Sequence, residues 1–201
     1  MQRLYYLLFL FPLWQACQSP AHKEDAAPVI VAIQPDGQVL FSDSTTMAIP
    51  HYGDSTYIIF YCVRHTEKLK DKGNNPDLSP EGIARAERLG KVLARTPVDM
   101  ACMTNFKRTI QTSETARRQM EHPPSAEAYP PNIQDGWLED KLGAGGGKKY
   151  FMVGHSNTIP QLLNYLKGSP GIKDIPEDEF GMFYIAITKG VGQTEVLELK
   201  Y

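Results

Sequence analysis

Residues 56–63 read TYIIFYCV and run directly into Arg64-His65-Thr66-Glu67-Lys68. The run is apolar at odd and even positions alike, as a parallel strand buried on both faces must be. It stops abruptly at charged and polar residues, as a strand does where it empties into a loop. Residues 150–153 (YFMV) repeat the arrangement ahead of Gly154-His155-Ser156-Asn157. In open α/β sheets the crevice beyond the carboxyl ends of the strands is where ligands bind. Two histidines delivered to such an edge, one preceded by an arginine, point to chemistry on an anion.

Working outward, Ser79-Pro80-Glu81 combine an N-cap, a proline at the first helical position and an acid in the first turn. Ile83, Ala86, Leu89 or Gly90, and Leu93 then share one helical face until Thr96-Pro97 stops the helix. Residues 98–104 (VDMACMT) read as a second short strand, and Asn105 as the cap of a helix over 106–119 that carries Lys107-Arg108-Thr109 in its first turn. A strand around 126–129 and a helix over 133–142 precede the glycine run 143–147. The strand at 150–153 leads to a helix from Ser156, with Ile159, Leu162, Leu163 and Leu166 as its buried stripe and Gly168 as its stop. Residues 180–188 and 194–201 form a hairpin. So do the two runs within 28–42 around Pro35-Asp36-Gly37, an accessory to the main sheet. A loop containing Pro50 and Gly53 follows. The order β-α-β-α-(β)-α-β-α-β-β predicts a three-layer α/β/α domain with a central mixed, mostly parallel sheet.

The amino-terminal residues read differently. Arg3 precedes an apolar stretch, 4–14 (LYYLLFLFPLW), that is shorter than the roughly 20 residues a bilayer span needs and matches a secretory h-region. Leu13-Trp14-Gln15-Ala16-Cys17 resembles a bacterial lipobox, with Cys17 as the lipidated residue; an ordinary signal peptide cut near Ala16 or Ala21 is the alternative. Either makes the expected location extracytoplasmic, the first with a lipid anchor in a membrane. Residues 18–28 (QSPAHKEDAAP) are polar and read as a tether. Residues 29–54 hold the accessory hairpin and loop, and 55–201 suffice for one α/β domain with its own core. A net charge of −2 with 22% charged residues argues against nucleic acid as a partner; the sequence sets no oligomeric state. Cys62 and Cys102 fall inside predicted strands and read as buried free thiols, although an oxidising compartment allows a bridge if their Cα atoms approach within about 7 Å. No Cys-x-x-Cys or histidine pair at ligand spacing occurs, so neither a metal nor a cofactor is expected.

Arg64, His65, Arg108 and His155 all fall at or just beyond strand ends. Guanidiniums offer planar forks to phosphate oxygens. They also repel a divalent cation, which weighs against the histidines as metal ligands. A neutral imidazole is a competent nucleophile toward phosphorus, and a second one can give a proton or hydrogen bond to the equatorial oxygens. Helix starts at Asn105 and Ser156 would aim backbone N–H groups at the same anion. Thr66, Ser156 and Asn157 are candidates for phosphate or substrate contact, and Glu67 and Lys68 for the rim. Lys107 reads as solvated, and Trp137 as packing its helix or covering the pocket mouth.

Arg64-His65-Thr66-Glu67-Lys68, the helix start Leu78-Ser79-Pro80-Glu81-Gly82, the segment from Thr104 to Thr112 (TNFKRTIQT) and Val153-Gly154-His155-Ser156-Asn157-Thr158, in that order, resemble the histidine phosphatase superfamily, phosphoglycerate mutase-like. The resemblance covers about 56–201. It implies His65 as the phosphorylated nucleophile, Arg64 and Arg108 as phosphate clamps and His155 as the second pocket histidine. It also implies that the His155 strand lies between the other two motif strands, keeping Cys62 and Cys102 apart. Thr66 replaces the glycine of the commonest family version, and Ser156 stands where the acid-phosphatase branch has aspartate. Many members carry a glutamate acid between the second arginine and second histidine; the carboxylates available there are Glu114, Glu121, Glu127, Asp135, Glu139 and Asp140, with Glu139 a possible rim residue. The implied function is hydrolysis of a small phosphorylated substrate (a phosphomonoester, phosphoanhydride or phosphohistidine) through a phosphohistidine at His65. A mutase is disfavoured, because a secreted protein would not meet glycolytic intermediates and the segment from Arg108 to His155 is short for a substrate-closing insertion. The rival is a non-catalytic phospholigand-binding module that keeps the pocket.

Overall fold

A computed structural model describes residues 27–70, 73–130 and 136–201. The expected leader with Cys17, most of the tether, Asp135 and the first residues of the helix expected over 133–142 lie outside them. Strands β1 (Ile30–Ile33), β2 (Gln38–Phe41) and β3 (Thr46–Ala48) form a small antiparallel sheet of their own. Gly37 turns the first hairpin at φ 85°, a value that suits glycine. β3 falls in a stretch that reads as loop from its sequence. Its three residues carry no β pattern, and it exists because β2 pairs with it, Val39 opposite Met47.

The main sheet contains β4 (Ile58–Arg64), β5 (Met100–Met103), β6 (Ser125–Ala128), β7 (Lys149–Gly154), β8 (Met182–Thr188) and β9 (Thr194–Lys200) in the order β6-β5-β7-β4-β8-β9. β6, β5, β7 and β4 run parallel, while β8 and β9 are antiparallel additions at one side. β7, which precedes His155, lies between β4 and β5. Cys62 and Cys102 both pair with Met152 from opposite sides, so a whole strand separates them, and both are buried free thiols.

Every residue of β4 is buried, because both faces are covered. Ile59, Tyr61 and Val63 pack toward α1 (Pro80–Val92), α2 (Lys107–Arg117) and the small sheet, where Ile30, Ile33 and Val39 join Leu89 and Leu93. Ile58, Phe60 and Cys62 pack toward α3 (Trp137–Gly143) and α4 (Thr158–Lys167), against Leu138, Ile159, Leu162 and Leu166. This is the expected three-layer arrangement.

Helix details differ in three places. Ile83 is 45% exposed; the buried face of α1 is Gly82, Ala86, Leu89 and Gly90. A Cβ on Gly90 would collide with the Ala116 carbonyl of α2, so the close approach of the two backbones sets the helix rotation. Asn105 does not cap α2. Phe106 holds that position without a side-chain bond, and Lys107 N–H instead donates to Asn75 Oδ1 at 2.9 Å. α4 starts at Thr158 rather than Ser156, with Gly168 in the left-handed conformation that ends it, as expected.

Candidate active site

The turn after β4 is fastened at every residue. His65 N–H donates to the Gly154 carbonyl at 2.9 Å, which locks the two histidine-bearing strand exits in register. Thr66, fully buried, donates its N–H to Thr112 Oγ1 at 3.1 Å, and the two hydroxyls meet at 3.2 Å. The Thr112 hydroxyl in turn donates to the Arg108 carbonyl at 2.7 Å. The Glu67 carbonyl accepts from Ser79 N–H at 2.9 Å. A Cβ on Gly82 would collide with that same carbonyl, so only glycine lets α1 seat against the turn. Thr66 is therefore a fastener to α2, not the phosphate contact expected of it. Glu67 pairs with Arg85 at 2.7 Å, leaving Lys68 to face the cavity.

That cavity, about 300 Å³, opens at the carboxyl ends of β4 and β7 and is lined by Arg64, His65, Lys68, Phe106, Arg108, His155, Ser156, Asn157, Thr158 and Glu177. The two imidazole rings lie 5.5 Å apart, inclined by 69°. His65 is 3% exposed, and its Nδ1 sits 2.8 Å from the Thr66 carbonyl oxygen. A carbonyl only accepts, so Nδ1 carries the proton and Nε2 keeps its lone pair. Burial, then Arg108, Arg64 and His155, bring the imidazole down to a pKa of about 3, against the opposing pull of the Thr66 bond. The ring is neutral at physiological pH.

His155 is held the other way round. Its Nε2 is 2.8 Å from Thr104 Oγ1 and its Nδ1 is 3.4 Å from Arg108 Nη2. Burial, then Arg108 and Arg64, lower its pKa to about 4. A guanidinium only donates, so in this arrangement Nδ1 accepts and Nε2–H donates to Thr104. Thr104 bonds onward to Thr109 at 3.0 Å, and because a hydroxyl can turn, it serves either tautomer or the imidazolium.

The two arginines are placed by different means. Arg108, in the first turn of α2, lies over Phe106 at 4.5 Å and reaches the Asn74 carbonyl at 3.3 Å. Burial and then Arg64 lower its pKa, with Glu177 opposing, and an anion in the cavity would relieve that repulsion. Arg64 is only 2% exposed. Its Nη1 donates to the carbonyls of Pro176 and Glu179 at 2.6 and 3.0 Å, its Nη2 to Glu177 at 3.0 Å, and it lies 4.3 Å from the Phe180 ring centroid. These partners offset the cost of burying a guanidinium. The Nε atoms of both arginines are buried without a partner.

Ser156 and Asn157 lie in the cavity lining. Glu139 does not. It stands in the first turn of α3, bonded to the Tyr165 hydroxyl of α4. Of the other carboxylates between Arg108 and His155, Glu114, Glu121, Glu127 and Asp140 contribute nothing to the cavity lining. Trp137 donates to Glu127 at 3.0 Å and lies beside Tyr129, away from the mouth. Lys107 pairs with Asp77 at 3.1 Å.

The sequence reading missed Thr104 and Glu177. Thr104 was legible as the last residue of a motif strand neighbouring the His155 strand. Glu177 belongs to Pro176-Glu177-Asp178-Glu179-Phe180, just before β8. Because β8 is antiparallel to β4, with Phe183 opposite Val63, its entrance lies at the edge where the parallel strands exit.

The sequence model of the histidine phosphatase superfamily (branch 1) matches residues 60–129, which include most of β4, His65 and Arg108. No curated protein matches the chain in sequence. The fold is similar to that of the protein histidine phosphatase SixA solved with tungstate (TM-score 0.60, 16% identity, 71% of this chain and 96% of that one). It is also similar to a mycobacterial glucosyl-3-phosphoglycerate phosphatase (0.54, 10% identity, 72% and 98%) and to phosphoglycerate mutase from Bacillus anthracis (0.52, 14% identity, 73% and 94%). The family match over the turn that carries His65 and the second arginine, and the fold around it, make the chain similar to the histidine phosphatase superfamily.

Proposed function

We propose that the protein hydrolyses small phosphorylated substrates through a covalent phosphohistidine at His65. One observation carries this reading: the proton of His65 is committed to the Thr66 carbonyl, so the lone pair of Nε2 is free in a cavity bounded by two arginines and a second histidine. In the first step that lone pair forms a P–N bond while the bond from phosphorus to the leaving group breaks and its electrons depart with the leaving oxygen or nitrogen. The guanidiniums of Arg108 and Arg64 meet the equatorial oxygens. His155, able to change tautomer through Thr104, supplies the hydrogen bond or proton that the shifting charge calls for. In the second step water attacks phosphorus, the P–N bond breaks and inorganic phosphate leaves.

The tungstate in SixA and the phosphatase activity named for the mycobacterial protein support this reading, since both share this fold. Hydrolysis rather than phosphoryl recycling is proposed because residues 3–17 read as a secretory leader, and a secreted protein would not meet glycolytic intermediates. The test is turnover of p-nitrophenyl phosphate, whose leaving group needs no acid, with acid quench of labelled substrate to trap the phosphoryl group. A protein that binds phosphate yet never turns over would be the phospholigand-binding module instead. Anchoring through Cys17 is part of the proposal; among the described residues no helix is long and apolar enough to cross a membrane. Cys17→Ser should move the protein from the membrane fraction to the soluble extracytoplasmic one without changing kcat.

A further inference from the structure

Among the described residues, Glu177 is the one carboxylate in the lining of the cavity. Its Oε2 lies 3.0 Å from Arg64 Nη2, and its Oε1 accepts from the Ser156 hydroxyl at 3.1 Å. A side-chain anion thus spans two groups that a phosphoryl oxygen would also use. The contact is lopsided: Arg64 is 2% exposed, whereas the Glu177 side chain is 79% exposed. The backbone beneath it is fixed independently. The carbonyls of Pro176 and Glu179 take Arg64 Nη1, and Ile175 N–H donates to the Ser156 carbonyl at 2.9 Å. Only the Glu177 side chain needs to move for the contact to open, and an exposed side chain changes rotamer at little cost.

We propose that Glu177 is a built-in competitor for the phosphate cavity, an internal carboxylate that an incoming phosphoryl group must displace from Arg64 and Ser156. This inference rests on the phosphatase reading of the site and assigns to it a residue that sets affinity for the anion rather than the rate of the chemical step. Three forces act together on displacement. The phosphoryl group, carrying more charge than a carboxylate, wins the guanidinium. The displaced carboxylate is repelled by the dianion that replaced it. Water then solvates the freed carboxylate, because nothing else holds it in the cavity. The consequence is selectivity. Singly charged carboxylate metabolites gain little over the resident group, whereas phosphoryl dianions do.

The experiment measures binding of inorganic phosphate and of vanadate to the full-length wild type, Glu177→Gln, Glu177→Ala and Arg108→Lys by calorimetry, with p-nitrophenyl phosphate turnover alongside. Both Glu177 variants should bind each anion about 3- to 10-fold more tightly, the scale of one partly exposed, charge-assisted contact, with KM falling and kcat unchanged. Arg108→Lys should bind more weakly. If the Glu177 variants bind no tighter while Arg108→Lys loses affinity, competition is overturned and the phosphatase reading stands. Turnover of an alkyl phosphate is measured alongside, and a fall in that kcat without tighter binding would also overturn competition, making Glu177 a proton donor. No binding of either anion to any of the proteins would remove the phosphate cavity itself and this inference with it.

Discussion

The two histidine-bearing turns sit side by side at the same sheet edge, yet they are built to opposite ends. His65 is buried, its Nδ1 spent on the carbonyl of the next residue and its Nε2 left to the cavity. His155 is half-buried, its Nε2 tied to a threonine hydroxyl and its Nδ1 facing an arginine. A carbonyl permits one protonation state at the nitrogen it touches; a hydroxyl permits either. The first turn therefore fixes a neutral imidazole with a free lone pair, whereas the second keeps a histidine free to gain or lose a proton. Identity of residue does not decide role here; the partner of the far ring nitrogen does.

The largest test of that asymmetry is kinetic. His65→Ala should lower turnover by at least ~10³-fold, the order lost with a covalent nucleophile, and abolish the trapped phosphoryl group. His155→Ala should cost ~10²-fold, the scale of one transition-state donor, and still trap it. Equal losses with no trapped group in either variant would break the distinction.

A smaller effect is thermodynamic. An unfolded His65 takes up a proton as pH falls through its ordinary 6.5, but the folded one resists until about 3. The unfolded state then binds more protons, so stability is full above pH 6.5 and is lost progressively as pH falls toward 3. Between pH 7 and pH 5 this single group accounts for up to about 2 kcal/mol. Urea unfolding at both pH values should show that increment in the wild type and a pH dependence reduced by it in His65→Ala. An unchanged dependence would mean that His65 titrates in the folded protein as it does in the unfolded chain.

The smallest effect sharpens the role of Thr104. Thr104→Val keeps the shape but removes the hydroxyl that lets His155 change tautomer, and should lower kcat about fivefold to tenfold, near the value of one hydrogen bond. Thr104→Ser should restore it. The ¹⁵N shifts of His155 should move to a single fixed tautomer in the valine variant. An unaltered His155 spectrum would show that its protonation state is set by Arg108 alone.

Much of this was legible beforehand because periodicity and capping are local. The unbroken apolar run of β4, the Ser79-Pro80-Glu81 start of α1 and the Gly168 stop of α4 each carry their own physical reason, and each stands where the sequence places it. Arg64, His65, Arg108 and His155 follow from those, since a strand end is a place as well as a residue. What failed depended on partners far along the chain. Thr66 turned to Thr112 because α2 packs against the β4 turn. Glu139 turned to Tyr165 because α3 lies beside α4. Ile83 came to the surface because Gly90 lets α2 in so closely.

The sequence by itself determined which residues end the buried strands, and so the family of chemistry gathered at the sheet edge, because side-chain alternation and chain-reversal signals are properties of short segments. Only the tertiary structure decided the protonation of the two imidazoles and the presence of a carboxylate between Arg64 and Ser156. Those depend on which carbonyl, hydroxyl or loop arrives from a distant part of the chain. Hydrogen bonds a few ångströms long respond to that arrival, and no local pattern encodes it.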